Sequence, residues 1–114
     1  ETILSGEGYA GRTDLITCPG SDNVLWDWKS AKKLPDPEKG GWPEHKLQLA
    51  AYCKAWMRTK GKNCRAANVY ISTVEVGKFV VCDYTQEHLR DAFDRGFNPL
   101  LTVWQFLNNY SPTY

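Results

Sequence analysis

The segment Val24 to Ser30, VLWDWKS, carries bulky side chains at both its even and its odd positions, a pattern that a strand with one solvated face does not show. It needs cover on both sides and therefore belongs in the interior of a sheet. With 114 residues, the chain has apolar side chains enough for one compact core and too few for two. Residues 1–114 are thus expected to form a single domain.

The other elements fall around that strand. Glu1 to Ile16 reads as extended chain, with Gly6, Gly8 and Gly11 marking a bend or bulge between two short strands. TCPGSDN is a turn. After the central strand, AKKLPDPEKGGWP breaks all periodicity with its prolines and glycines and reads as a loop. A helix begins at Pro43, a residue suited to a first helical turn, and lines up Leu47, Ala50, Ala51, Ala55 and Trp56 as an apolar stripe until GKN ends it. Asn68 to Thr73 and Lys78 to Tyr84 form a strand pair joined through EVGK. Thr85 caps the first of one or two helices, with a kink or break at Gly96 and Pro99.

Charge and cysteine usage narrow the function classes. The formal net charge is +1, so local clusters and not an overall basic field would have to attract an anionic partner. No apolar run is long enough for a membrane span and no signal-peptide pattern opens the chain, so a soluble protein is expected. Cys18, Cys53, Cys64 and Cys82 stand singly and offer no CxxC pair for zinc. They read as small buried thiols in a reducing compartment.

Within the central strand, side chains at i and i+2 share a face, which sets Asp27 beside Lys29 and leaves Trp26, Trp28 and Ser30 on the other side. Taken alone, this triplet suits a salt bridge on a solvated face. Asp14 on the preceding strand changes its meaning, because a hairpin turning through Pro19 to Asn23 brings a second carboxylate next to Asp27. Two carboxylates so close repel unless a cation lies between them. Oxygen ligands of that kind suit Mg2+ or Mn2+, ions that keep much of their water and bind phosphate. A lysine alongside can orient a water and offset charge developing on a phosphoryl group. The set describes a phosphodiester-hydrolysing site.

GYAGRTDLI, VLWDWKS and KLQLAAYCKAW together resemble the PD-(D/E)XK nuclease superfamily, and within it the RecB-like exonuclease branch, whose pattern runs GxxD, D-x-K, Q-x-x-x-Y. Asp14, Asp27, Lys29, Gln48 and Tyr52 occupy those positions in order. YAGRTD, WDWKSAKKLP and LQLAAYCKAW are also similar to the mitochondrial genome maintenance exonucleases and their phage relatives. The resemblance covers most of the chain. It implies an α/β fold with a restriction-endonuclease-like core, a mixed β-sheet flanked by helices, and a metal-dependent DNA exonuclease that prefers single strands.

In that family pattern Asp14 and Asp27 bind metal, Trp28 lends its backbone carbonyl, and Lys29 positions the attacking water. Gln48 and Tyr52, four apart on one helix face, support the site or touch the substrate backbone. Tyr52 also fits a plain core aromatic. The family places a helix with a metal-holding Glu or His ahead of its first strand, and none precedes Glu1. Either Glu1 or Glu7 substitutes, or that residue lies on an upstream segment or another chain, or it is missing altogether. His45 and His88 do not fill the position by order and read as surface histidines at helix starts.

Lys32, Lys33 and Lys39 in the loop could meet phosphates, and Trp42 at its end could stack an unpaired base. A solvated charge run followed by a helix-start contact is the plainer alternative. No residue stands out as a reader of base edges. A structure-specific endonuclease of the resolvase or flap type shares the same core, and a catalytically silent DNA-binding module would retain the fold. The setting implied is intracellular, in the cytoplasm of a phage or bacterial host or in a mitochondrion.

Overall fold

The computed structural model describes residues 2–6, 8–17, 23–61 and 63–110. Most of the expected TCPGSDN turn, the Cys18 thiol and the two glutamates Glu1 and Glu7 lie outside the described residues. The chain opens with an antiparallel hairpin of β1 (Thr2–Gly6) and β2 (Tyr9–Thr13). A four-stranded sheet follows in the order β3 (Leu15–Thr17), β4 (Asn23–Ala31), β5 (Cys64–Ser72) and β6 (Phe79–Tyr84). β4 is an interior strand, as its two bulky faces require. It runs antiparallel to β3 and parallel to β5, which makes the sheet mixed.

A parallel pair cannot be closed by a tight turn. The crossover from β4 to β5 contains α1 (Pro43–Lys60), which starts on Pro43 and ends where Gly61 takes a left-handed φ of 67° and returns its N–H to the Met57 carbonyl. Leu49, Ala50 and Cys53 of α1 pack with Leu25, Ala66 and Tyr70 of the sheet. The expected stripe is right in its alanines, but Leu47 and Trp56 are only half-buried and the deepest contacts come from Leu49 and Cys53. Small residues at 50, 51 and 55 let the helix lie close to the sheet, and this turns its 49/53 edge inward.

Three features differ from the expectation. β5 begins at Cys64 and not at Asn68, because Asn23 to Trp26 of β4 pair with Cys64 to Ala67 and the parallel ladder overrides the weak strand preference of the two alanines. The second face of β4 is not fully covered, since Trp28 remains 45% exposed. The expected break at Gly96 and Pro99 is a change of helical pitch: α2 (Gln86–Ala92) passes through a π-helical turn over Phe93–Phe97 into α3 (Asn98–Leu107). The Asn98 N–H reaches back to the Phe93 carbonyl, a widened step just before Pro99, which has no N–H to give. Thr85 caps α2 as expected, accepting the His88 N–H at 3.1 Å. Among the described residues no helix is long and apolar enough to cross a membrane.

The β1–β2 hairpin lies against α1, where the Tyr9 hydroxyl donates to the Ala51 carbonyl at 2.7 Å. Gly11 marks the closest approach, since a Cβ there would lie 2.3 Å from the Tyr52 ring. That ring cannot swing away freely, because its hydroxyl is tied to Gln48. Gly11→Ala should therefore lower stability by about 1–3 kcal/mol, the usual range for overpacking, and thermal unfolding of the variant beside the parent measures it.

Candidate active site

β3 and β4 pair with Leu15 opposite Trp26, and extending this register by one residue sets Asp14 opposite Asp27. The short link between β2 and β3 thus delivers the first carboxylate to the second. Asp14 is half-buried, and its Oδ2 accepts the Trp28 backbone N–H at 3.1 Å. Asp27 is 6% exposed and lies on the face of β4 that meets α1, together with Leu25 and Lys29. A solvated salt bridge does not describe such a position.

Lys29 Nζ lies 3.1 Å from Asp27 Oδ2 and donates to Gln48 Oε1 at 3.0 Å. Gln48 in turn donates from Nε2 to the Tyr52 hydroxyl at 3.1 Å. The spacing of four residues on α1 produces this contact directly. The Tyr52 ring packs against the core and Gly11, and its hydroxyl closes the polar chain. Five residues spread over 39 positions of sequence therefore meet around the middle of β4.

The electrostatics of the pair are unbalanced. Burial pushes the Asp27 carboxyl above the ordinary carboxylate value, Lys29 pulls it down, and the neighbouring Asp14 carboxyl pushes it up again. One ammonium does not offset burial and a second acid together. The donor set fits a divalent cation for that reason: two adjacent carboxylates, hard oxygen ligands, with a surplus of negative charge on ionisation. Among the described residues no cluster of three or more His, Cys, Asp or Glu forms, so this pair would rely on backbone carbonyl and water for its remaining ligands.

Beside the pair lies an open cleft of about 280 Å³ whose lining includes Lys29, Lys32, Lys33, Trp42, His45 and Tyr70. Glu44 also contributes to it. The loop lysines 32 and 33 and Trp42 thus share a cleft with Lys29, whereas Lys39 sits in a turn and does not line the cleft. Trp42 is not free of other contacts, since its ring lies 5.1 Å from that of Tyr70.

His45 corrects the reading of a surface histidine. It is half-buried, its Nδ1 is 2.9 Å from the Tyr70 hydroxyl, and burial, reinforced by the Lys29 charge, lowers its pKa so that the neutral ring is favoured. Its position three residues before Gln48 was the signal available, since that spacing puts both on one helix face. His88 is exposed, as expected. Asn68, fully buried beside Asp27, carried no signal in the sequence.

The family model for the PD-(D/E)XK nuclease superfamily matches residues 8–110. The fold is similar to the crystal structure of a protein from Eubacterium rectale provisionally named an exonuclease, with a TM-score of 0.71 and 12% sequence identity. That likeness covers 97% of this chain and 46% of the other, so the chain spans less than half the length of that protein. No curated protein gives a significant match.

The raised carboxyl pKa of Asp27 has a measurable consequence. The folded chain holds that proton more tightly than the unfolded chain does, so stability is lost as pH climbs from the ordinary carboxylate value through the raised folded value. Asp27→Asn removes this loss and keeps the shape. Without added metal, its melting temperature at neutral pH should equal or exceed that of the parent, and a clearly lower value would show that the Asp27–Lys29 attraction outweighs the burial cost.

Proposed function

The chain belongs to the PD-(D/E)XK nuclease superfamily, and from that premise we propose that it is a metal-dependent deoxyribonuclease acting as an exonuclease, with a preference for single-stranded DNA. The observation that carries this reading is the Asp27–Lys29 pair, held against Asp14 and tied to Gln48 at the mouth of a basic cleft. The order of GxxD, D-x-K and Q-x-x-x-Y along the chain supports the RecB-like branch of the superfamily. Members of this superfamily generally use divalent metal ions, and Mg2+ or Mn2+ suits the oxygen donors here.

Asp14 and Asp27 would hold the cation with their carboxylates, and Trp28 would add its backbone carbonyl from the strand edge that Asp14 faces. The bound cation would supply charge neutralisation of the phosphate and a more acidic water. Lys29, fixed by Asp27 and Gln48, orients the attacking water with its ammonium and opposes the charge that builds on the phosphoryl oxygens. Gln48 keeps that ammonium from rotating away, and Tyr52 fixes the amide of Gln48.

Lys32 and Lys33 are placed to meet backbone phosphates in the cleft, and Trp42 to stack an unpaired base. Lys39, outside the cleft, would contribute only long-range attraction. The free, buried thiols of Cys53, Cys64 and Cys82 fit work in a reducing intracellular setting.

Digestion of end-labelled linear and of circular single strands with and without Mg2+ tests the reading. Release of label from the linear strand only, and only with metal, is expected. Cleavage of the circle would assign an endonuclease, and a lack of any metal-dependent cleavage would overturn the proposal. Lys29→Ala should lower turnover by about 10²-fold or more while folding and DNA affinity stay near the parent values. A change confined to affinity would make Lys29 a phosphate contact instead.

The cleft has its own test. Trp42→Ala should weaken binding to single strands more than to duplex, because only unpaired bases expose a stacking face. Replacing Lys32 and Lys33 together with Ala should reduce affinity for every sequence and flatten its salt dependence, since fewer counterions are released. Parent-like binding by both variants would place the DNA path elsewhere.

A further inference from the structure

Asn68 is fully buried in the middle of β5, a costly place for an amide unless each of its polar atoms is used. The parallel register puts it directly beside Asp27. Its Nδ2 lies 3.3 Å from Asp27 Oδ2 and 3.4 Å from the Asp27 backbone carbonyl, and its Oδ1 accepts the Tyr84 hydroxyl at 3.0 Å. The orientation of the amide follows from its partners. The Asp27 carbonyl can only accept, so the NH2 group must face it, and the opposite side must face a donor. Tyr84 is such a donor, itself 4% exposed and hydrogen-bonded by the Gly41 backbone N–H.

We infer that Asn68, oriented by Tyr84, is the positioning residue that sets the Asp27 carboxylate for a divalent cation. Lys29 and Asn68 both hold Oδ2 of Asp27. The plane of the carboxylate is then fixed and Oδ1 is the oxygen left for a ligand bond. Lys29 arrives from the same strand and Asn68 from the neighbouring one, so the carboxylate cannot follow the lysine when a substrate draws it towards phosphate. Asn68 touches neither substrate nor reacting atoms and acts through Asp27 alone. Hydrogen bonds of this second rank orient metal-binding carboxylates and tune their affinity. The inference rests on the metal-site reading above.

The test is titration of the full chain with Mn2+, without DNA, by calorimetry, at a temperature well below the melting point of each protein. Asn68→Ala should raise the Mn2+ Kd by about 10-fold to 100-fold. Tyr84→Phe, which loses one hydroxyl and no volume at the carboxylate, should raise it a few-fold by loosening the amide, and guards against a failure of Asn68→Ala to fold. In cleavage assays both variants should need more Mn2+ for half-maximal rate and recover turnover at saturating metal.

A purely structural role predicts lower melting temperatures with an unchanged Kd, and Kd values within about twofold of the parent in both folded variants would overturn the proposal. If only Tyr84→Phe binds like the parent, the amide is oriented without Tyr84 and that part falls. A parent chain that binds no Mn2+ is a separate result, which removes the metal-site reading and this inference with it.

Discussion

The Lys29 ammonium joins the two layers of the molecule at the site. It pairs with Asp27 on its own strand and donates to Gln48 on α1, so the strand and the helix that crosses over it meet through one charged group. Everything else at the site is arranged around keeping that group in place. Tyr52 steadies Gln48, Gly11 leaves room for the Tyr52 ring, and the β1–β2 hairpin that contains Gly11 is itself held to α1 through Tyr9.

An arrangement of this kind is poor for stability and good for chemistry. Ion pairs away from water seldom repay the loss of hydration, and here a second carboxylate makes the balance worse, as the upward shift at Asp27 records. The surrounding core is built to tolerate it, with Leu25, Leu49 and Ala55 showing no exposure. Strain of charge on a well-packed sheet is what a group awaiting a cation and a phosphate would require.

Aromatic hydroxyls give the site its second tier. Tyr70 accepts the Trp42 backbone N–H and contacts His45, while Tyr84 reaches Asn68. Tyr70 comes from β5 and Tyr84 from β6, and they are fully or almost fully buried. Through them the adjoining loop end at Trp42 and start of α1 are tied to β5, and Asn68 beside Asp27 is tied to β6.

The central strand, the crossover helix and the cap at Thr85 were legible in the sequence because they depend on local spacing: a period of two on a strand, a turn of four on a helix, a proline or threonine at a helix start. Asp14, Asp27, Lys29, Gln48 and Tyr52 were singled out together by their likeness to a family pattern, and the fold brings them into contact. The sequence by itself did not determine that β5 begins at Cys64, that α1 turns Leu49 and Cys53 inward, or that the Gly96–Pro99 stretch bends through a π turn. Nor did it reveal His45, Asn68 or Tyr84, or separate Lys39 from its neighbours. Each of those was decided by which backbone lies alongside which. A buried asparagine on a strand looks like any polar residue until the parallel register sets it against an aspartate 41 positions earlier in the chain, and such a register is a property of the folded sheet, not of either strand alone.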